Sequence, residues 1–411
     1  MKTLYDLGAL LALGLWAAAQ AYVLAFVAYA LSPAGVYVLC RRPLQRRTRP
    51  TASPAPPRTN FVLLVPAHNE EAALPALLAS IGRQTYPAAR FCTVVVADNC
   101  HDNTALLARQ AGARCLERRS PGPSSKAQAL AYAAQALQHQ PPLPAAVVCI
   151  LDADCWLHPH FLRELNQHFA RPGAAPVAQC ARQVGNAFES DVTLLDAAAE
   201  ALRTQVGAAT RQLLGLDSFL FGLGCCLRAP EFAALLGQPA ATLAEDKEWK
   251  AWLLARRVRV RYCPAARLRY QAVAGQAGFQ RQRRRWLAGQ WAAASTHGLP
   301  QLVQGLLRAN LSQLDFACDL LQPPRSVLLA ATLLFGLVAL AGGHSLLSGW
   351  GWLALGAAVL AYGLLGLRLI GAGPRHLRAL LTGSMLAAGI LKTVVQLPLG
   401  RRIRHWEATR S

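Results

Sequence analysis

At 411 residues the chain has room for a catalytic domain of ordinary size plus a further region, and 54% of its side chains are hydrophobic. Its 42 basic against 21 acidic residues give a net charge of +21, but the basic clusters at 41–49, 281–285 and 401–404 each lie beside an apolar run. That placement fits an anionic leaflet better than one continuous nucleic-acid groove, and eleven cysteines without C-x-x-C or paired spacing predict neither a zinc site nor a disulfide framework.

Residues 7–40 carry no charge, which exceeds the ~20 apolar residues a helix needs to cross the hydrocarbon core. Ala19-Gln20-Ala21 resembles a signal-peptide cleavage site behind the basic Lys2. The apolar run continues well past it, however, and then meets Arg41, Arg42, Arg46, Arg47 and Arg49. Residues 1–40 are therefore expected to be a membrane helix with its N-terminus outside and the following domain inside. Residues 41–59 hold five prolines among arginines and predict a stiff linker.

A globular domain is expected over 60–275. Runs at 61–65, 91–97 and 145–151 are short, apolar and β-branched, alternating with polar and helix-like stretches. Such alternation predicts an α/β domain with a mainly parallel sheet and ligands at the strand C-terminal ends. The first end reads Val65-Pro66-Ala67-His68-Asn69-Glu70-Glu71 and the second Val96-Ala97-Asp98-Asn99-Cys100-His101-Asp102. Helix N-capping by Asn69 or Asp102 is the plainer role for those loops. The third run closes on Asp152-Ala153-Asp154. Two carboxylates one residue apart at a sheet edge offer hard oxygens where a divalent cation and a diphosphate can meet. Lys126 opens a helical stretch after Pro121-Gly122-Pro123-Ser124-Ser125; it is either a phosphate contact or a solvated lysine. His158-Pro159-His160 reads as a helix start rather than a ligand pair, because oxygen ligands suit Mg²⁺ and Mn²⁺ better.

Leu243-Ala244-Glu245-Asp246 precedes a helix-like stretch at 249–257 and at the least complements that helix's N-terminus. Residues 276–325 are expected at the membrane interface. They contain Gln282-Arg283-Arg284-Arg285-Trp286, which could serve simply as an Arg/Trp anchor, and an amphipathic 301–321 with Arg308 and Asp315. In 326–411, runs at 327–342 and 350–370 are apolar enough to span, though the first is short. The run 379–399 has Lys392 as its one charge and either spans or lies in the interface; spanning would put Arg401, Arg402 and Arg404 outside.

Taken together, V-P-x-x-N-E at the first strand, an Asp at the second, D-x-D, E-D and Q-x-x-R-W stand in one order over 60–290. The set resembles membrane-integrated glycosyltransferase family 2, including the cellulose, chitin and hyaluronan synthases, with Q-x-x-R-W similar also to a motif of ceramide glucosyltransferases. The resemblance implies a GT-A-type α/β domain with one N-terminal and two to three C-terminal transmembrane helices. It implies inverting transfer from a nucleoside-diphosphate sugar, UDP being the expected carrier, with Mg²⁺ or Mn²⁺ held by Asp154 and shared with Asp152, which otherwise meets the ribose. Ala67, Asn69, Glu70 and Asp98 would face the nucleobase and Lys126 the phosphates. Asp246, beside Glu245, would be the general base. Gln282 and Arg285 would hold diphosphate, and Trp286 would offer a face to the acceptor sugar. Phe221-Gly222-Leu223-Gly224 resembles a glycine-containing acceptor loop. Ala244 stands where the family has Thr, and Ser125 where a Gly often precedes the lysine.

Three products stay open on the resemblance: a growing cell-surface polysaccharide, a membrane lipid carrying one added sugar, or none, the protein being an inactive scaffold. The expected partners are the sugar nucleotide, a polysaccharide or lipid-linked acceptor and the bilayer, and no nucleic acid. A polymer channel would need the N-terminal helix, a second copy or an export partner to complete it. The expected location is the cell membrane, multi-pass, with the catalytic domain cytoplasmic.

Overall fold

The computed structural model describes residues 2–40, 55–121, 125–236 and 244–396. The arginine clusters at 41–49 and 401–404, residues 122–124 of the loop before Lys126, and Leu243 lie outside the described residues.

An eight-stranded sheet carries the globular part, in the order β3-β2-β1-β4-β7-β6-β8-β5. Its strands are β1 (Phe61–Ala67), β2 (Phe91–Asp98), β3 (Arg114–Arg118), β4 (Val147–Ile150), β5 (Cys155–Leu157), β6 (Val177–Val184), β7 (Cys225–Arg228) and β8 (Val260–Tyr270). The three apolar runs seen in the sequence are β1, β2 and β4, which pair in parallel side by side. Both sheet faces are covered, so the strands are apolar on both sides. Phe61, Leu63 and Val65 pack with Leu74, Leu77, Phe161 and Leu165 on one face. On the other, Val62 and Leu64 pack with Leu130, Leu137, Trp249 and Leu253. β7 runs antiparallel to β4 and β6, and β5 antiparallel to β8, so the sheet is mixed with a parallel majority.

Parallel β2, β1 and β4 bring their C-terminal ends to one edge, where Asp98, Ala67 and the Asp152–Asp154 turn stand in a row. Helices Lys126–His139 and Glu245–Ala255 deliver their N-termini to the same region. Ser125 caps the first of these by accepting from the Gln128 amide. A π-helix, Leu202–Ala208, interrupts the helical run that follows β6.

Three helical segments are long and apolar enough to cross a membrane: Gly8–Leu39, Gly349–Leu369 and Pro374–Val394. The run expected at 327–342 becomes a helix of 16 residues, Arg325–Leu340, only about 24 Å long. It reaches spanning length only together with Leu311–Leu321, from which it is bent by 72°. The ambiguous run at 379–399 falls largely within the third of these segments. The first helix packs Val27 and Ala30 against Leu328, Trp352 and Val359. A second seam, from Tyr37 and Tyr362 to Leu202 and Val206, joins these helices to the globular domain.

Candidate active site

The loops after β1 and β2 form one unit. Asn69 and Asn99 both take left-handed backbone conformations, φ 54° and 51°, which Asn tolerates better than most residues. Asn69 Oδ1 accepts from the His101 amide at 2.8 Å, and Thr104 Oγ1 accepts from Glu70 at 2.8 Å. Asp102 accepts from Glu71 and Thr104, each at 3.0 Å. The Asp102 cap thus spans two strand ends rather than serving its own helix alone. Asp98 is buried, its Oδ1 accepting from Arg118 at 2.5 Å and its backbone carbonyl 2.7 Å from His68 Nδ1.

Lys126 sits at the helix mouth and donates to Asp152 Oδ1. Burial alone would lower its ammonium, but Asp152 and then Glu245 outweigh burial and hold it above its ordinary value. A side chain at Gly222 would place its Cβ 3.2 Å from Lys126 Nζ and 3.3 Å from Glu245 Oε1, so glycine is what lets this loop close on the two charges. Burial, then the neighbouring Asp246, raises the Glu245 carboxyl to about 7 against the pull of Lys126. Arg285 is lowered by burial, with Glu245 and Asp152 opposing. Asp246 accepts from the Lys247 amide at 2.8 Å, and Lys247 Nζ reaches Asp319 at 2.7 Å.

One cavity of about 1910 Å³ connects these groups. The residues that the resemblance assigned to nucleobase, phosphate, metal, base and acceptor sugar all line it: Ala67, Asn69, Glu70 and Asp98, then Lys126, Asp152, Asp154, Glu245 and Asp246, and Gln282, Arg285 and Trp286. The same cavity is lined by Tyr29, Ala30, Tyr362, Leu386 and Ile390 of the apolar helices. Sequence reasoning missed other arginines of this cavity: Arg182, Arg203, Arg211 and Arg325 line it with Arg283. Arg182 stacks on Phe221 at 3.8 Å and Arg211 on Phe219 at 3.8 Å. Apolar neighbours such as Phe219 and Phe221 were the available signal, but the carboxylate that holds Arg211, Asp315, lies 104 residues away.

Asp152 and Asp154 fit a Mg²⁺ or Mn²⁺ in a limited way. Among the described residues no three His, Cys, Asp or Glu side chains converge on one point, so a cation here would draw its remaining ligands from diphosphate and water. Neither His158 nor His160 lines the cavity; His160 Nδ1 lies 2.7 Å from Thr85 Oγ1.

The profile of Glycosyltransferase like family 2 matches residues 56–289, more than half of the chain. Among solved structures, the chain is similar to the mannosyltransferase PcManGT from Pyrobaculum calidifontis in complex with GDP-Man and Mn²⁺. That likeness has 18% identity over 93% of this chain and 99% of that one, with a TM-score of 0.52, and identifies the fold as GT-A-like. It is also similar to glucosyl-3-phosphoglycerate synthase from Mycobacterium tuberculosis in complex with Mg²⁺ and UDP, at 18% identity over 57% of this chain and 79% of that one, with a TM-score of 0.40. The same enzyme with Mn²⁺ and UDP-Glc aligns at 19% identity over 57% and 79%, with a TM-score of 0.38. No curated protein matches the chain.

Proposed function

The chain belongs to Glycosyltransferase like family 2 and is a glycosyltransferase, and on that premise we propose a membrane-bound inverting enzyme acting at the cytoplasmic face of the cell membrane. It takes a hexose from a nucleoside-diphosphate sugar, with UDP the expected carrier, and delivers it to an acceptor presented from the bilayer. The observation that carries this reading is the single cavity running from the strand-end carboxylates to the apolar helices. The laced loops at Asn69 and Asp98 hold the nucleoside. Lys126 and Arg285 stand where they can meet the diphosphate, and Asp154 with Asp152 would hold a Mg²⁺ or Mn²⁺, which supplies charge stabilisation of the leaving diphosphate. Asp246 receives the acceptor hydroxyl proton. Glu245, raised to about 7 and next to Lys126, sets the local charge. One displacement inverts the anomeric centre.

Two acceptors suit the Gln282, Arg285 and Trp286 surface: the end of a growing cell-surface polysaccharide, and a membrane lipid that receives one sugar. The apolar side chains that line the same cavity favour the lipid. Membrane-embedded protein incubated with labelled UDP- and GDP-sugars, followed by product sizing, separates the two, since a polymer ladder overturns the single-sugar reading. Asp246→Asn is expected to lower transfer by roughly 10²–10⁴-fold with donor binding retained. If Asp154→Asn and Asp246→Asn leave both donor hydrolysis and transfer unchanged, the assignment of the metal site and the general base to these carboxylates fails.

A further inference from the structure

The arginine-rich part of the cavity carries more positive charge than its own acids neutralise. Arg182 donates to Glu200 through Nε and Nη2 at 3.0 and 2.9 Å, and Arg203 donates to the same carboxylate at 2.9 Å. One acid thus serves two guanidinium groups. Arg211 is held bidentately by Asp315 at 2.7 and 2.8 Å, and Arg283 is paired with Asp196. Arg325 has no carboxylate within 4.0 Å among the described residues; its guanidinium rests 4.8 Å from the centre of the Tyr362 ring. Asp319 is engaged by Lys247. Two positive charges, one at the shared Glu200 and one at Arg325, therefore stand in a cavity that Tyr29, Pro33, Leu386 and Ile390 also line.

Uncompensated guanidinium beside hydrocarbon is costly, and a phosphate is the anion whose geometry suits the Arg fork. An anion arriving free in water gains nothing from the apolar walls, whereas one carried on a lipid fills both halves of the chamber. We propose that Arg203 and Arg325 bind the phosphate of a lipid whose chains lie between the apolar helices, and that this lipid is the acceptor. The inference rests on the glycosyltransferase reading and deepens it by naming the acceptor's chemical class. The phosphate is the anchor, not the nucleophile. A hydroxyl of the headgroup attacks the anomeric carbon, a C–O bond forms to the acceptor, and the bond to the diphosphate breaks with its electron pair on the diphosphate oxygen. The hydroxyl proton passes to Asp246.

The test uses full-length protein in phosphatidylcholine nanodiscs doped with dioleoyl phosphatidate or with dioleoylglycerol, with retained lipid read by native mass spectrometry. Wild type is expected to retain phosphatidate at least about tenfold over dioleoylglycerol, and Arg325→Gln and Arg203→Gln to reduce that retention at least about tenfold. Arg325→Lys should keep part of it, and Arg109→Gln, at an exposed pair on the far edge of the sheet, all of it. Arg325 has no ion-pair partner to orphan among the described residues, so its Gln variant is expected to melt no lower than wild type, which keeps the test valid if Arg203→Gln fails to fold. Equal retention of the two lipids, undiminished retention by Arg325→Gln, or equally tight binding of inorganic phosphate overturns the proposal. Binding of Mn²⁺ and UDP or GDP by wild type, measured in the same discs, reports on the donor reading separately; its absence would sink that reading and leave the lipid measurement standing.

Discussion

Glu245 shows how much one position constrains the chemistry around it. Its carboxyl is raised from 4.5 to about 7 by burial and by Asp246. A carboxyl raised on folding contributes stability that is complete below about 4.5 and is lost as pH rises through about 7. Without donor, Glu245→Gln should therefore match wild type near the acid end and melt progressively higher than wild type between pH ~5 and ~8; a pH-independent difference would rule out the raised carboxyl. Lys250 is a second case. It is 4% exposed, burial lowers it from 10.5 to about 8, and its Nζ has no hydrogen-bond partner among the described residues. A lowered lysine costs stability below about 8, so Lys250→Met is expected to raise stability at pH 7 by about 1–3 kcal/mol, read as a higher melting temperature in detergent. Asp152, Asp154, Glu245 and Asp246 could be singled out as candidates because they stand in one order with the neighbouring motifs, and the structure brings all four to one cavity. Lys250 could not be: a lone lysine inside a helix reads as solvated, and only the fold, which brings Asp217, Asp315, Arg211 and Arg259 around it, removes its water.

Between elements, the critical joint is Arg211. It reaches Asp315 on the Leu311–Leu321 helix and donates to Tyr29 of the first helix at 2.7 Å, while Tyr29 bonds Asp315 in turn at 3.0 Å. Breaking one partner of such a buried pair typically costs about 3–5 kcal/mol, and replacing both by apolar groups recovers much of it. Asp315→Leu is accordingly expected to lower the melting temperature sharply, and Arg211→Met with Asp315→Leu to restore most of the loss; additive losses in the double variant would refute the coupling. The strands were legible in the same uneven way. β1, β2 and β4 are apolar runs buried on both faces, whose register the sheet interior dictates. β5 and β7 have three and four residues, and β8 alternates Arg with apolar residues, so their pairing is decided by neighbours distant in sequence. The helix ends show a similar limit: the apolar run at 327–342 was visible, but its 72° break from Leu311–Leu321 was not, because the angle at a Pro323-Pro324 junction is set by the packing on either side.

For the molecule as a whole, the sheet edge supplies one half of the cavity and the apolar helices the other. If those helices span the bilayer as proposed, carbonate extraction at alkaline pH and high salt should leave the protein in the membrane fraction, since screening removes the contribution of its +21 charge but not hydrocarbon burial; recovery in the supernatant would refute integration. The cavity's two halves also come from different stretches of chain. The carboxylates and the laced loops lie between residues 66 and 154 and at 245–246, whereas Tyr29, Arg325, Tyr362 and Leu386 belong to the two ends. On the reading proposed, the ends of the chain hold much of the acceptor's seat, while Arg203 and Trp286 of the middle hold the rest. A lineage could therefore diversify the lipid chains it accepts by drift at the ends of the chain, without retuning the nucleotide pocket, while Arg203 kept the headgroup phosphate in place.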